Sequence, residues 1–216
     1  MNIILEAVCG SLSYGLATPD SDEDLRGIFV APTKEVLGLR KPKETIDRNN
    51  PDVCYHEIEK YLRLCLKCNP SLLEMLFMEE YRVLTEEGKA LVDIRSAFLS
   101  NLVRQAYGGY AIAQARRLNA RGDGIWDSDV RNRYAKHARH CFRLMDQGKQ
   151  LLETGTLMVR VSNREELFAL GELTPEEMVD KFEARFQAFD ATPSVLPDKP
   201  DFEAVNRFLL EIRYAH

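Results

Sequence analysis

No apolar run in the 216 residues reaches the roughly 20 positions that a membrane-spanning helix needs, so a membrane protein of that kind is excluded. Positive charge is not in excess: 29 Lys and Arg face 34 Asp and Glu, a net charge of −5. Domains that hold nucleic acid by bulk electrostatics are usually basic, so binding of that type is excluded, though a local basic face is not. The five cysteines (Cys9, Cys54, Cys65, Cys68 and Cys141) are odd in number and irregularly spaced, which argues against a disulfide framework. No basic stretch followed by an apolar one opens the chain, and a reducing cytoplasm is expected. Internal repeats, low-complexity tracts and Ser-His-Asp or Cys-His hydrolase patterns are absent. Cys65 and Cys68 have C-x-x-C spacing without a second pair. They read as one core and one half-exposed cysteine on a helix.

What is present is an ordinary globular balance, 45% hydrophobic and 29% charged, in a chain long enough to bury a core unaided. Residues 3–9 and 24–30 read as strands, and 45–48 and 52–56 as two more around a turn at Asn49-Asn50-Pro51. A short helix is expected from Ser11, and another over 33–37 with Thr33 as its cap. From Glu57 the apolar period becomes helical, through Ile58, Tyr61, Leu62 and Cys65, until Asn69-Pro70 breaks it. A helix resumes at 71–78, a short strand follows at 81–84, and Thr85 caps a helix from Glu86. The rest is mostly helical: 100–120, 128–153, 164–170, 175–188 and 201–214, with a proline-rich loop over 192–200. The expected architecture is α+β. A small N-terminal sheet with helices fills 1–95, and a helical unit fills 96–216.

The chemistry concentrates between Gly10-Ser11 and Asp22-Glu23-Asp24. On an extended segment Asp22 and Asp24 would project to one side. Two carboxylates so close repel unless a cation lies between them, and Mg²⁺ is the hard, oxygen-seeking candidate, with Mn²⁺ as the alternative. A glycine that ends a strand lets backbone N–H groups approach a phosphate, and the Ser11 hydroxyl adds a donor. Taken as composition alone, the same stretch also fits a solvated, Asp-rich loop.

Gly-Ser, a gap of ten, then Asp-x-Asp between two strands resembles the nucleotidyltransferase superfamily typified by DNA polymerase beta. More narrowly, GSLSYGLATPDSDEDLRGIFV is similar to a bacterial and phage group of predicted nucleotidyltransferases linked to RNA repair. DVCYHEIEKYLRLCLKCNPSLLEMLF, GGYAIAQARRL and KHARHCFRLMDQGKQLLETGTL extend the resemblance to about residue 190. The superfamily usually has an apolar residue between its two acids, where this chain has Glu23. The resemblance implies a polymerase beta-type sheet, a magnesium-dependent reaction and an NTP substrate. Gly10 and Ser11 match its phosphate-binding pair, and Asp22 and Asp24 its metal-binding acids. A third acid normally comes from a neighbouring strand, and Asp52 is the choice, with Glu57 the rival.

Lys60, in the same motif, is a candidate triphosphate contact or a solvated helix residue. Lys136, His140 and Arg143 fall on one helix face, beside Arg131, Arg133, His137 and Arg139, with Tyr134 and Trp126 close in sequence. That cluster reads equally as a grip on nucleotide phosphates or an RNA end and as a solvated basic face. Arg116, Arg117 and Arg121 form a weaker basic run. Gly108-Gly109 inside a helix marks a kink or a close approach. The expected acceptor is an RNA end, with a protein hydroxyl second and a small molecule third. A non-catalytic nucleotide-binding or antitoxin-type module is the alternative of a different class.

Overall fold

The computed structural model describes residues 1–49, 51–119 and 128–216, the side chains at 117–119, 128, 129 and 175 excepted. Chain contacts divide these into two compact units. The first is Met1–Leu99 with Met158–Arg160 and Lys199–His216, and the second is Ser100–Leu157 with Val161–Asp198.

The first unit is built on a five-stranded mixed sheet. Its strands are β1 (Asn2–Cys9), β2 (Asp24–Val30), β3 (Thr45–Asn49), β4 (Asp52–Glu57) and β5 (Val83–Leu84), in the order β3-β4-β2-β1-β5. β2 and β4 run parallel, and the other neighbours run antiparallel. Alternation along β2 sends Leu25 and Phe29 to a cluster with Val53, Tyr55 and Ala31. Asp24, Arg26 and Ile28 therefore take the opposite face. Gly27 lies where a methyl group would overlap the Tyr55 ring and stand 2.9 Å from the Leu5 carbonyl oxygen. Gly27→Ala is expected to destabilise by about 1–3 kcal/mol, because overpacking a filled core forces neighbours off their minima. A urea midpoint unchanged from the wild type would contradict this.

Helices α1 (Thr33–Leu37), α2 (Ile58–Cys65), α3 (Pro70–Leu73) and α4 (Glu86–Asp93) complete this part of the chain, with 3-10 stretches at Glu74–Phe77 and Arg95–Phe98. Thr85 caps α4 through the Gly88 amide, as its sequence position predicts. Three expectations change. Residues 10–15 form hydrogen-bonded turns and not a helix. Pro32, not Thr33, occupies the N-cap of α1, and the Thr33 hydroxyl donates to the Arg213 carbonyl at 2.7 Å. Cys65 and Cys68 are both fully buried, and Cys68 adopts a positive φ of 53° where the chain leaves α2 for Asn69-Pro70. Neither thiol is half-exposed.

The second unit contains α5 (Leu102–Asn119), α6 (Ser128–Thr154), α7 (Arg164–Ala169) and α8 (Pro175–Asp190). Thr174 and Glu177 form a reciprocal capping box at the start of α8. Gly108 lies against the Phe186 and Phe189 rings of α8, while Gly109 faces open space. Gly108 thus serves a close helix approach, and Gly109 does not. The last helix, α9 (Phe202–Ala215), belongs with the sheet and not with the helical unit expected over 96–216. Among the described residues no helix is long and apolar enough to cross a membrane.

Candidate active site

β1 ends at Cys9, and Gly10 turns the chain at φ 72°, in the left-handed region that glycine enters without steric cost. The turns that follow are closed by Tyr14 N–H to Gly10 O (3.2 Å), Leu16 N–H to Ser11 O (2.8 Å) and Ser13 Oγ–H to Gly10 O (2.9 Å). β2 opens at Asp24, directly paired with Cys9. The Asp24 carboxylate consequently packs on Gly10 so closely that any side chain there would overlap its Oδ2. Glycine is required at this position twice over, for the turn and for the acid.

The sheet register lays out the face that carries Asp24. Cys9 pairs Asp24, Ala7 pairs Arg26 and Leu5 pairs Ile28. Across the parallel junction Arg26 pairs Cys54 and Ile28 pairs His56, and beyond it Cys54 pairs Asp47 and His56 pairs Thr45. Asp24 and Asp52 each lie one residue before the paired Leu25 and Val53, on adjoining strands whose general spacing is about 5 Å. Asp52 opens β4 and is exposed. Asp22 is exposed too, but precedes the strand, so strand alternation does not determine its direction. Between the two acids, Glu23 forms an ion pair with Arg82.

Glu57, the rival third acid, is committed elsewhere. It is 4% exposed, caps α2 by accepting from the Glu59 amide at 2.8 Å, and pairs with Arg213 at 2.8 Å. Lys60 stands on the β3 side of the sheet face, three strands across from β1, where its ammonium donates to Thr45 Oγ1 at 2.6 Å. It does not join Gly10 and Ser11.

The face is electrostatically tense. Burial pushes the Cys9 thiol up to about 12, with Glu74 and Asp24 adding and Arg26 opposing. Burial and then Asp47 raise Cys54 to about 11, so both thiols stay neutral at pH 7. His56 is lowered by burial and by Lys60, and its ring nitrogen Nδ1 lies 3.0 Å from Thr45 Oγ1. Arg26, Asp47 and Glu74 were missed in the sequence because none belongs to a spaced motif. Register and chain reversal bring them to this face.

Within the second unit, Lys136 is exposed and His140 half-buried, but Arg143 is 1% exposed. It donates to Gln147 at 2.5 Å, and its Nη2 lies 3.0 Å from His140 Nδ1. The three do share one face of α6, yet that face turns inward along the helix, so they do not form an exposed basic stripe. Arg131 and Arg133 are exposed, while Arg139 stacks over Phe168 at 4.6 Å. Trp126, Arg121 and the side chain of Arg117 lie outside the described residues.

Residues 1–211 match the RNA repair pathway DNA polymerase beta family, RlaP. The chain belongs to that family. It is thereby a member of the polymerase beta-type nucleotidyltransferases, as the Gly-Ser and Asp-x-Asp motifs lead one to expect. An uncharacterized 38.9 kDa protein from the nrdC-mobD intergenic region of Enterobacteria phage T4 is 28% identical over 139 residues. The match covers 58% of this chain and 41% of the phage protein, so the chain spans less than half of that relative. A nucleotidyltransferase-like protein from Exiguobacterium sibiricum 255-15 aligns over 100% of this chain and 75% of its own, at 11% identity and a TM-score of 0.33. A likeness at that level adds nothing to the family assignment.

Proposed function

We propose that the chain transfers a nucleoside monophosphate from an NTP to an acceptor hydroxyl, most simply the end of an RNA. The observation that carries this reading is the Asp24 carboxylate packed on the left-handed Gly10, with Asp52 one residue before the Leu25–Val53 pair on the next strand. That arrangement joins an acid pair to a glycine turn.

The donor set fits Mg²⁺. Carboxylate oxygens are its ligands, and it is typically held by one or two of them plus substrate phosphates. Among the described residues no three of His, Cys, Asp or Glu form a group that could hold an ion, so Asp22, Asp24 and Asp52 are not assembled as a three-carboxylate site. Asp24 and Asp52 would hold the ion together with the substrate phosphates, and Asp22, in the segment before β2, would have to be drawn in. When bound, the ion neutralises phosphate charge and steadies the attacking and leaving oxygens.

The residues of the chain then bind and orient. Backbone N–H groups of the Gly10–Ser11 turn and the Ser11 hydroxyl hold the β- and γ-phosphates. The acceptor oxygen attacks the α-phosphorus, the bond to the β-phosphate oxygen breaks, and pyrophosphate leaves. Asp52 takes the hydroxyl proton. Most of the rate gain comes from positioning and charge neutralisation. The family's description as part of an RNA repair pathway supports an RNA acceptor.

The test is incubation with each α-labelled NTP, Mg²⁺ and a total cell extract. Label on RNA ends with stoichiometric pyrophosphate is the expected result. Label on protein would move the acceptor to a protein hydroxyl. Heat of NTP binding without pyrophosphate would make the chain a nucleotide-binding module instead.

A further inference from the structure

Behind the Gly10 turn lie one buried and two half-buried polar side chains to which the reaction above gives no part. Glu74, in the 3-10 stretch after α3, is only 1% exposed. A carboxylate so far from water is costly unless donors and positive charge surround it. Tyr14 provides a donor: its hydroxyl lies 2.6 Å from Glu74 Oε1, across 60 residues of sequence. Arg26 provides charge. Burial opposes its ionisation, but the facing groups, Glu74 among them, raise its pKa on balance. Arg26 also donates to the Ser71 carbonyl at 3.5 Å, in the same helical segment.

Tyr14 belongs to the turn itself, since its amide donates to Gly10 O. Arg26 lies two residues after Asp24 on the same strand and the same face. The α3 segment therefore touches both halves of the site: the phosphate turn through Tyr14, and the Asp24 strand through Arg26. Asn69-Pro70, which starts α3, delivers Glu74 beneath the turn.

We propose that Glu74 and Tyr14 are positioning residues, whose hydrogen bond sets the Gly10–Ser11 backbone where it meets the triphosphate, with Arg26 as their counter-charge on the Asp24 strand. This rests on the nucleotidyltransferase reading. Without the bond the turn drifts from the phosphate while Asp24 keeps its place on β2, so nucleotide affinity falls more than the rate at saturation.

The test measures turnover of Mg²⁺–NTP and calorimetric binding of non-hydrolysable NTP analogues for three proteins. Tyr14→Phe should raise KM and Kd about tenfold, the scale of one hydrogen bond to a charged group, with kcat changing far less. Glu74→Gln keeps an acceptor oxygen for Tyr14 and should recover most of the affinity, whereas Glu74→Ala should not. Thermal melts identify any variant that loses affinity by unfolding. A folded Tyr14→Phe with wild-type KM and Kd, or a loss confined to kcat, would overturn the inference. If the wild type itself bound no NTP, the underlying reading would fall first, and this one with it.

Discussion

Asp24→Asn should cut nucleotidyl transfer at least about a thousandfold, the scale lost when a group acting on developing charge is removed, while the protein still folds. Asparagine matches aspartate in shape and keeps the β2–β1 pairing of Asp24 with Cys9, so the melting temperature should move by only a few degrees. The informative companion is Gly10→Ala. It alters no catalytic group, yet its methyl would overlap Asp24 Oδ2 and sit on a backbone at φ 72°. Either the acid leaves its position or the turn does, and a loss of similar size follows. Pyrophosphate release with saturating NTP and Mg²⁺, beside a circular-dichroism melt, measures both. Full activity in a folded Gly10→Ala protein would mean that the contact between turn and acid has no part in catalysis.

Arg213→Ala should cost about 3–5 kcal/mol of stability, because it strands the Glu57 carboxylate in the interior without its counter-charge. Glu57 and Arg213 are both largely buried, with side chains 5% and 11% exposed and an N–O distance of 2.8 Å. Arg213 also donates to the Ala31 carbonyl at 3.2 Å, just past β2, while Glu57 caps α2. The pair thus joins α9 to the end of β2 and the start of α2. Against a typical total of about 5–15 kcal/mol, the loss should be plain in a urea titration. Glu57→Gln with Arg213→Met together should cost less than Arg213→Ala alone, since no charge is left buried. An Arg213→Ala midpoint within about 0.5 kcal/mol of the wild type would contradict this, 3–5 kcal/mol being the ordinary cost of breaking such a pair. The commitment of Glu57 to this pair is also why Asp52 is proposed as the third acid.

Much of the sheet was legible from local pattern. β1 and β2 carry dense runs of apolar residues bounded by glycine, proline and aspartate, and such runs have few alternatives to a buried strand. The capping box of α8 and the Thr85 cap of α4 are equally local, since each is completed within four residues. Less legible was the segment after Ser11. Its Gly, Ser and Thr content suits either a short helix or consecutive turns, and hydrogen bonds to Gly10 and Ser11 decide for turns. The spacing of Lys136, His140 and Arg143 correctly places them on one helix face. It cannot say that Arg143 is buried, because burial depends on what packs against the helix.

By itself the sequence determined the Gly-Ser pair, the acids that follow it and the family to which the chain belongs, because these depend on residue type at short spacing. Tertiary structure alone decided which of the other charged groups meet them. Strand order brings Asp52 beside Asp24, the return of α9 takes Glu57 out of contention, and the break at Asn69-Pro70 carries Glu74 under Tyr14. Partners separated by 60 or 156 residues leave no periodic trace in a single sequence, since only the folded backbone gives them a common neighbourhood.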